Sequence, residues 1–264
     1  MFVVLGATGH TGSAVVETLL SRKQPVRTVV RSLEKGVGWK AKGAEVAVAS
    51  LDDVSALTKA FEGAKGVYVL VPPNYGVEAW LADQRARMDR AAEAVRRSDV
   101  SHVVFLSSVG GHIAGGTGPI RAASYGEQTL ETVVKNITIL RPSYFMDNWA
   151  PVIGAAKAEG VLPTFIAPQS KIPMISTRDI GRIGAAASAC RWTRQADRGN
   201  GRSGRLQSGS YCGRSGQDLE ADCKDSARAL ECRCSNIQIL RVFRRGGEII
   251  RGDVQRVRKG NDHV

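Results

Sequence analysis

Cysteine is missing from the first 189 residues; all five, Cys190, Cys212, Cys223, Cys232 and Cys234, fall at or beyond one boundary. A disulfide-stapled fold is thereby excluded for the front of the chain. Cys232 and Cys234 stand too close for a CxxC knuckle, and no second pair or nearby His completes a site, so no metal is expected. No run of 18 apolar residues occurs, and the N-terminus has no charged region leading into a long apolar stretch. A soluble cytoplasmic protein with reduced thiols is the expectation, with no membrane partner.

Positive charge is not scarce, but it is unevenly placed. The net charge is +12 over 264 residues. Residues 1–190 carry 21 Lys+Arg against 16 Asp+Glu, whereas residues 191–264 carry 16 against 9. A basic balance normally points to nucleic acid or a membrane surface. Here the shorter part holds more than half of the excess, so the charge describes the tail and not the molecule. "QRARMDRAAEAVRR" is basic as well, but at helical spacing it reads as the solvated face of a covering helix.

What is abundant is alternation. "MFVVL", "PVRTVVRS", "GAEVAVAS", "GVYVLVPP", "SHVVFLSSVGG" and "ITILRPSYF" are six short β-branched or apolar runs. Between them lie segments of helical period, such as "VSALTKAFEGA" and "VEAWLADQRARMDRAAEAVRRS". Continuous apolar strands alternating with helices predict an α/β fold, a doubly wound parallel sheet with helices on both faces.

Gly6, Gly9 and Gly12 form G-x-x-G-x-x-G between the first strand and the first helix. Glycines there permit a tight turn, close approach of backbone to a pyrophosphate, and close helix–strand packing. The helix start offers free N–H groups and a favourable dipole to the anion. A dinucleotide is the expected cofactor. The second strand ends in Arg31, where an acid would select NAD by binding a ribose 2′-OH; an arginine meets a 2′-phosphate instead. NADPH is therefore expected over NADH. Lys35 could play the same part.

"VLGATGHTG", "VVFLSSVGG", "GTGPIRAASYGEQTLE", "ITILRPSYFMDNW" and "KIPMISTRDIG" resemble the atypical short-chain dehydrogenase superfamily, and within it the NmrA-like branch with its NAD(P)H-dependent quinone reductases. The resemblance covers residues 1–190. It implies a Rossmann domain over residues 1–146 and a small substrate lobe from residue 147 onward. Members either reduce quinones, azo dyes and similar small acceptors, or sense NADP(H) without turnover and act on a protein partner. By resemblance, Gly6, Thr8, Gly9, His10, Thr11 and Gly12 match the phosphate loop and Arg31 the 2′-phosphate reader. Leu51 and Asp52 match the turn beside the adenine. Val71 and Pro72 match the strand end beside the adenosine and ribose, and Ser107 and Ser108 the strand end at the nicotinamide. Pro142, Tyr144, Phe145 and Asn148 match the wall of the substrate pocket. Glu127 and Tyr144 are the candidate catalytic residues.

The departures narrow the chemistry. Tyr125 is followed four residues later by Thr129 and not by Lys, so no lysine lowers a tyrosine pKa to make it a general acid. Ala123 stands where many relatives have Lys or His, and Ser50 of "ASLDD" replaces a usual Asp. An acceptor that takes hydride directly and its proton from water, such as a quinone, suits a site of this kind; so does a sensor. His112 is a possible pocket residue, and His102, opening a strand, reads as a surface residue.

From Arg191 the family pattern stops. Arg, Gly, Ser and Cys without apolar period are what a GC-rich gene yields out of frame. Reading the last two bases of each codon with the first of the next permits A-D-V-A-A from Cys212 to Gln217, and a peptide of helical period from Arg244 to Gly260. Residues 191–258 are thus expected to be out of frame and irregular, and the substrate lobe incomplete. The other reading, a basic RNA-binding arm, lacks interleaved aromatics, having only Trp192, Tyr211 and Phe243.

Overall fold

Each short apolar run becomes a strand, and each intervening amphipathic segment a helix that covers it. The computed structural model describes residues 1–113, 115–189, 237–245 and 248–252. In chain order these are β1 (Phe2–Val4), α1 (His10–Ser21), β2 (Val26–Val30), α2 (Val37–Ala41), β3 (Glu45–Val48), α3 (Val54–Phe61), β4 (Gly66–Val69), α4 (Trp80–Arg97), β5 (His102–Leu106), α5 (Ile120–Val133) and β6 (Asn136–Pro142). Beyond them come β7 (Tyr144–Phe145), α6 (Ala150–Glu159), β8 (Met174–Ile175), α7 (Thr177–Ala189), β9 (Ile237–Arg245) and β10 (Glu248–Gly252).

The main sheet runs β10-β9-β6-β5-β4-β1-β2-β3, and β1 to β6 pair in parallel. Its two faces follow from the period of two along each strand. Val3, Val67, Val103, Phe105, Ile137 and Ile139 face Leu57 and Phe61 of α3, Met88 and Val95 of α4, and Leu130 of α5. Phe2, Val4, Tyr68, Val104 and Leu140 face Val15, Val16 and Leu19 of α1 and Ile180 and Ile183 of α7. Each such side chain contributes about 1.5–3 kcal/mol by leaving water. Exposed ion pairs contribute at most about 1 kcal/mol each, so the two apolar layers hold the domain. The carboxyl ends of β1, β4, β5 and β6 open on one edge, where the order reverses about β1.

Two sequence expectations change. His102 is not at the surface: it is 3% exposed, with Nε2 at 3.2 Å from the Thr138 hydroxyl. Its strand lies inside the sheet, flanked by β4 and β6, so even its first residue is covered. The irregularity expected through residue 258 does not extend over β9 and β10. "IQILRVF" is β-branched and apolar enough to pair antiparallel with β6, from Ile237 opposite Pro142 to Phe243 opposite Asn136, and β10 pairs antiparallel with β9. The expectation for residues 191–236 lies outside the described residues.

Beyond β6 the packing thins. Helix α6 forms, closed by Gly160 in the left-handed region, yet none of its residues is buried. Met146, Ile153, Val161, Leu162 and Phe165 are exposed around it. Among the described residues no helix is long and apolar enough to cross a membrane.

Candidate functional site

The glycine loop is shaped by backbone contacts. Gly6 adopts a φ of +68°, open to glycine at little cost. At Gly12 a Cβ would lie 2.2 Å from the Gly6 carbonyl oxygen, so no side chain fits there. The Gly9 N–H donates to the Gly6 carbonyl at 2.9 Å and closes the turn. Helix α1 then begins without a side-chain cap and without an acid in its first turn. Its first N–H groups have no intrahelical acceptor, and its dipole favours an anion in front of them. With the loop backbone packed directly against Gly12, the uncapped start of α1 fits a pyrophosphate. Thr8, Gly9 and His10 are exposed, while Thr11 is buried beside Tyr68. Burial pushes the Tyr68 phenol up, against the opposing influence of the Thr11 hydroxyl.

Arg31 follows β2 directly, is exposed, and meets no acid among the described residues. The turn at Leu51 is differently occupied. Arg90 of α4 donates Nε to the Leu51 carbonyl at 2.9 Å and pairs with the Asp52 carboxylate at 2.7 Å. The Ser50 hydroxyl also donates to Asp52. Asp53 caps α3, accepting from the Ala56 N–H at 2.9 Å. Val71 is half-buried; the Pro72 carbonyl accepts from Arg87 at 3.1 Å. The basic stretch of α4 is thus spent on local partners: Arg96 and Arg97 both bond Glu93 and hold its carboxyl well below the ordinary range.

At the neighbouring strand ends, Ser107 bonds its N–H to the Leu140 carbonyl, and Val109 its N–H to the Pro142 carbonyl. These bonds bring Ser107, Ser108 and Pro142 together. The Ser107 hydroxyl donates to Glu127. Glu127 is 4% exposed, and Arg141 grips both of its oxygens, Nε to Oε1 at 2.9 Å and Nη2 to Oε2 at 2.5 Å. Behind this group lies a pocket of about 90 Å³ bordered by Gly111, His112, Ser124, Glu127, Glu131 and Arg141. Tyr125 faces elsewhere. Its hydroxyl donates to Asp89 of α4 at 2.7 Å, and that bond, with burial second, raises its pKa. Tyr144 lies on β7, its ring tilted against Trp149 at 5.7 Å, and its strand pairs with β8. Phe145 is half-buried and Asn148 exposed.

No motif in the sequence pointed to Asp147. It stands in a 3-10 turn, Met146–Trp149, and accepts from the Thr177 N–H at 3.0 Å and the Thr177 hydroxyl at 2.7 Å. Burial pushes its carboxyl up, but the Thr177 bonds, its own backbone and His10 together hold it below the ordinary value. The sole sequence signal was an acid inside "FMDNW", beside the Asn148 that drew attention.

A glycine cradle at the point where strand order reverses, with strand-end serines on one side and an arginine on the other, defines a Rossmann protein built to hold a dinucleotide. The chain belongs to the NmrA-like family, whose profile matches residues 1–191. It is 26% identical over 192 residues to an NAD(P)H azoreductase of Xenophilus azovorans, covering 71% of this chain and 63% of that protein. The chain thus spans less than two thirds of that relative's length. Among solved structures it is similar to an NADPH-dependent quinone oxidoreductase from Escherichia coli in complex with NADPH, at 22% identity and a TM-score of 0.62, covering 72% of this chain and 66% of that one. It is also similar to a triphenylmethane reductase from Citrobacter sp., at 19% identity and a TM-score of 0.62, covering 70% and 63%.

Proposed function

We propose that the protein is an NADPH-dependent oxidoreductase that delivers hydride to a planar, quinone-like or azo acceptor. The observation that carries this reading is the uncapped glycine cradle of α1 beside an exposed Arg31 that meets no acid. The N–H groups of Gly9 to Gly12 would hold the pyrophosphate and Arg31 the 2′-phosphate. Ser107, Ser108 and Pro142 border the strand ends where the nicotinamide would lie. NADPH, when bound, supplies the hydride.

The chain's own residues then bind and orient. Glu127 acts as a positioning residue: held by Arg141, it fixes the Ser107 hydroxyl at the end of β5. Tyr144 and Phe145 wall the acceptor side. Glu127 is gripped on both oxygens and Tyr125 bonds Asp89, so neither is a free acid at the strand ends. An acceptor whose reduced oxygen takes its proton from water therefore fits best. The azoreductase and dye-reductase relatives support this class of acceptor.

The same lack of an acid favours a second reading, an NADP(H) sensor acting on a protein partner. Purified protein with NADPH and a naphthoquinone or azo dye separates the two. Oxidation of NADPH that depends on the acceptor establishes the reductase. Tight NADPH binding with no turnover of either acceptor leaves the sensor, and no binding of either nucleotide defeats both.

A further inference from the structure

Three elements far apart in the chain meet at Asp147. The turn after β7 presents the carboxylate, Thr177 at the start of α7 anchors it with two hydrogen bonds, and His10 at the start of α1 faces it. His10 Nδ1 lies 3.8 Å from Asp147 Oδ1, and the imidazole is 75% exposed. His10 is also inside the glycine loop. These residues border a cleft of about 510 Å³ with Ser13, Glu17, Ser176 and Arg178. The charged groups facing the imidazole among the described residues are therefore Asp147, nearest; Glu17, two turns along α1; and Arg178 on the cleft wall.

We propose that protonated His10 is a clasp between Asp147 and the pyrophosphate of the bound dinucleotide, so that NADPH binding draws a proton onto His10 and fixes the 144–149 wall of the acceptor site. The inference rests on the cofactor reading above. Without cofactor the imidazole has Asp147 nearest it and Glu17 farther along α1. A pyrophosphate at the N-terminus of α1 would place a second anion in reach of the same ring, and anions near an imidazole favour its charged form. Binding then takes up protons, and affinity falls as pH rises past the range in which His titrates. Asp147 is a suitable anchor because its own environment keeps it ionised throughout that range. Cofactor binding thus reaches the acceptor wall through Asp147 and its turn.

Calorimetric titration of NADPH into the full chain, in two buffers of different ionisation enthalpy, measures the protons taken up. The 2′-phosphate titrates near neutrality as well, but it does so equally in every variant, so the comparison with His10→Gln isolates the clasp. Wild type is expected to take up several tenths of a proton more than His10→Gln at pH 7. Its affinity should drop about fivefold more between pH 6 and pH 8. Asp147→Asn keeps an acceptor for Thr177 and should lose a large part of that uptake. Equal uptake in wild type and His10→Gln, with NADPH still binding, overturns the clasp and leaves the cofactor reading intact. No binding of NADPH by wild type overturns both.

Discussion

Arg31 is exposed and has no hydrogen bond or ion pair among the described residues, which makes it a clean probe. Arg31→Ala should weaken NADPH by about 10–100-fold, the worth of a charge-assisted bond or two, and leave NADH nearly unchanged. Fluorescence titration with both nucleotides checks it, and equal weakening would remove Arg31 from the 2′-phosphate. Glu127 is the opposite case, buried and held by Arg141. Glu127→Gln takes the charge from a buried pair and should destabilise the domain by on the order of 3 kcal/mol, read from denaturant unfolding. Because Ser107 loses its fixed partner, hydride transfer should also fall about tenfold, by analogy with the cost of misplacing a positioning group. Asp147 adds a pH test. Its folded-state pKa lies below its ordinary value near 3.8, so its contribution is complete above that value and is lost as pH falls through the lower, folded one. The stability that the Asp147 carboxylate adds over Asp147→Asn should therefore be lost below about pH 4.

Helix packing sets tighter limits than helix formation. A Cβ on Gly181 would lie 2.3 Å from the Ala14 Cβ and 2.8 Å from the Ala14 carbonyl carbon. Helices α7 and α1 thus touch backbone to backbone, on the face that carries the glycine loop. Gly181→Ala should cost about 1–3 kcal/mol by overpacking, despite the better helix propensity of alanine, and should shift the start of α1. Denaturant unfolding together with NADPH titration reads both effects; an unchanged midpoint would mean that α7 can slide away freely. The sequence showed "KIPMISTRDIG" as a family block, but the tight crossing that makes Gly181 necessary needs two helices brought together.

At the scale of the molecule, a well-packed Rossmann sheet carries a sparsely packed lobe. The family match ends at residue 191 and α7 ends at Ala189, so the two limits nearly coincide. Helix α6 and the segment after it leave Ile153, Val161, Leu162 and Phe165 exposed. In the proposed reading the cofactor is held by the packed part, whereas the acceptor would depend on the sparse one. NADPH affinity is therefore expected to be micromolar while KM for a quinone lies near ~1 mM, the upper end of the usual range. Steady-state kinetics beside a nucleotide titration tests this, and a micromolar KM for the quinone would show the acceptor wall to be complete.

Local pattern determined much of this protein. Continuous apolar runs placed β1 to β6, and the spacing of Gly6, Gly9 and Gly12 after one of them placed the phosphate cradle, because both signals act over a few neighbouring residues. The pairing of "IQILRVF" with β6 was hidden within a stretch whose composition otherwise argued against order. The burial of His102, the turning of Tyr125 toward Asp89, and the grip of Arg141 on Glu127 were not readable in advance. Each depends on a partner 14 or more residues away, and on which strand or helix the chain lays beside it. The meeting of His10, Asp147 and Thr177 is of the same kind: electrostatic contact acts through space, and only the folded chain brings those three side chains within reach of one another.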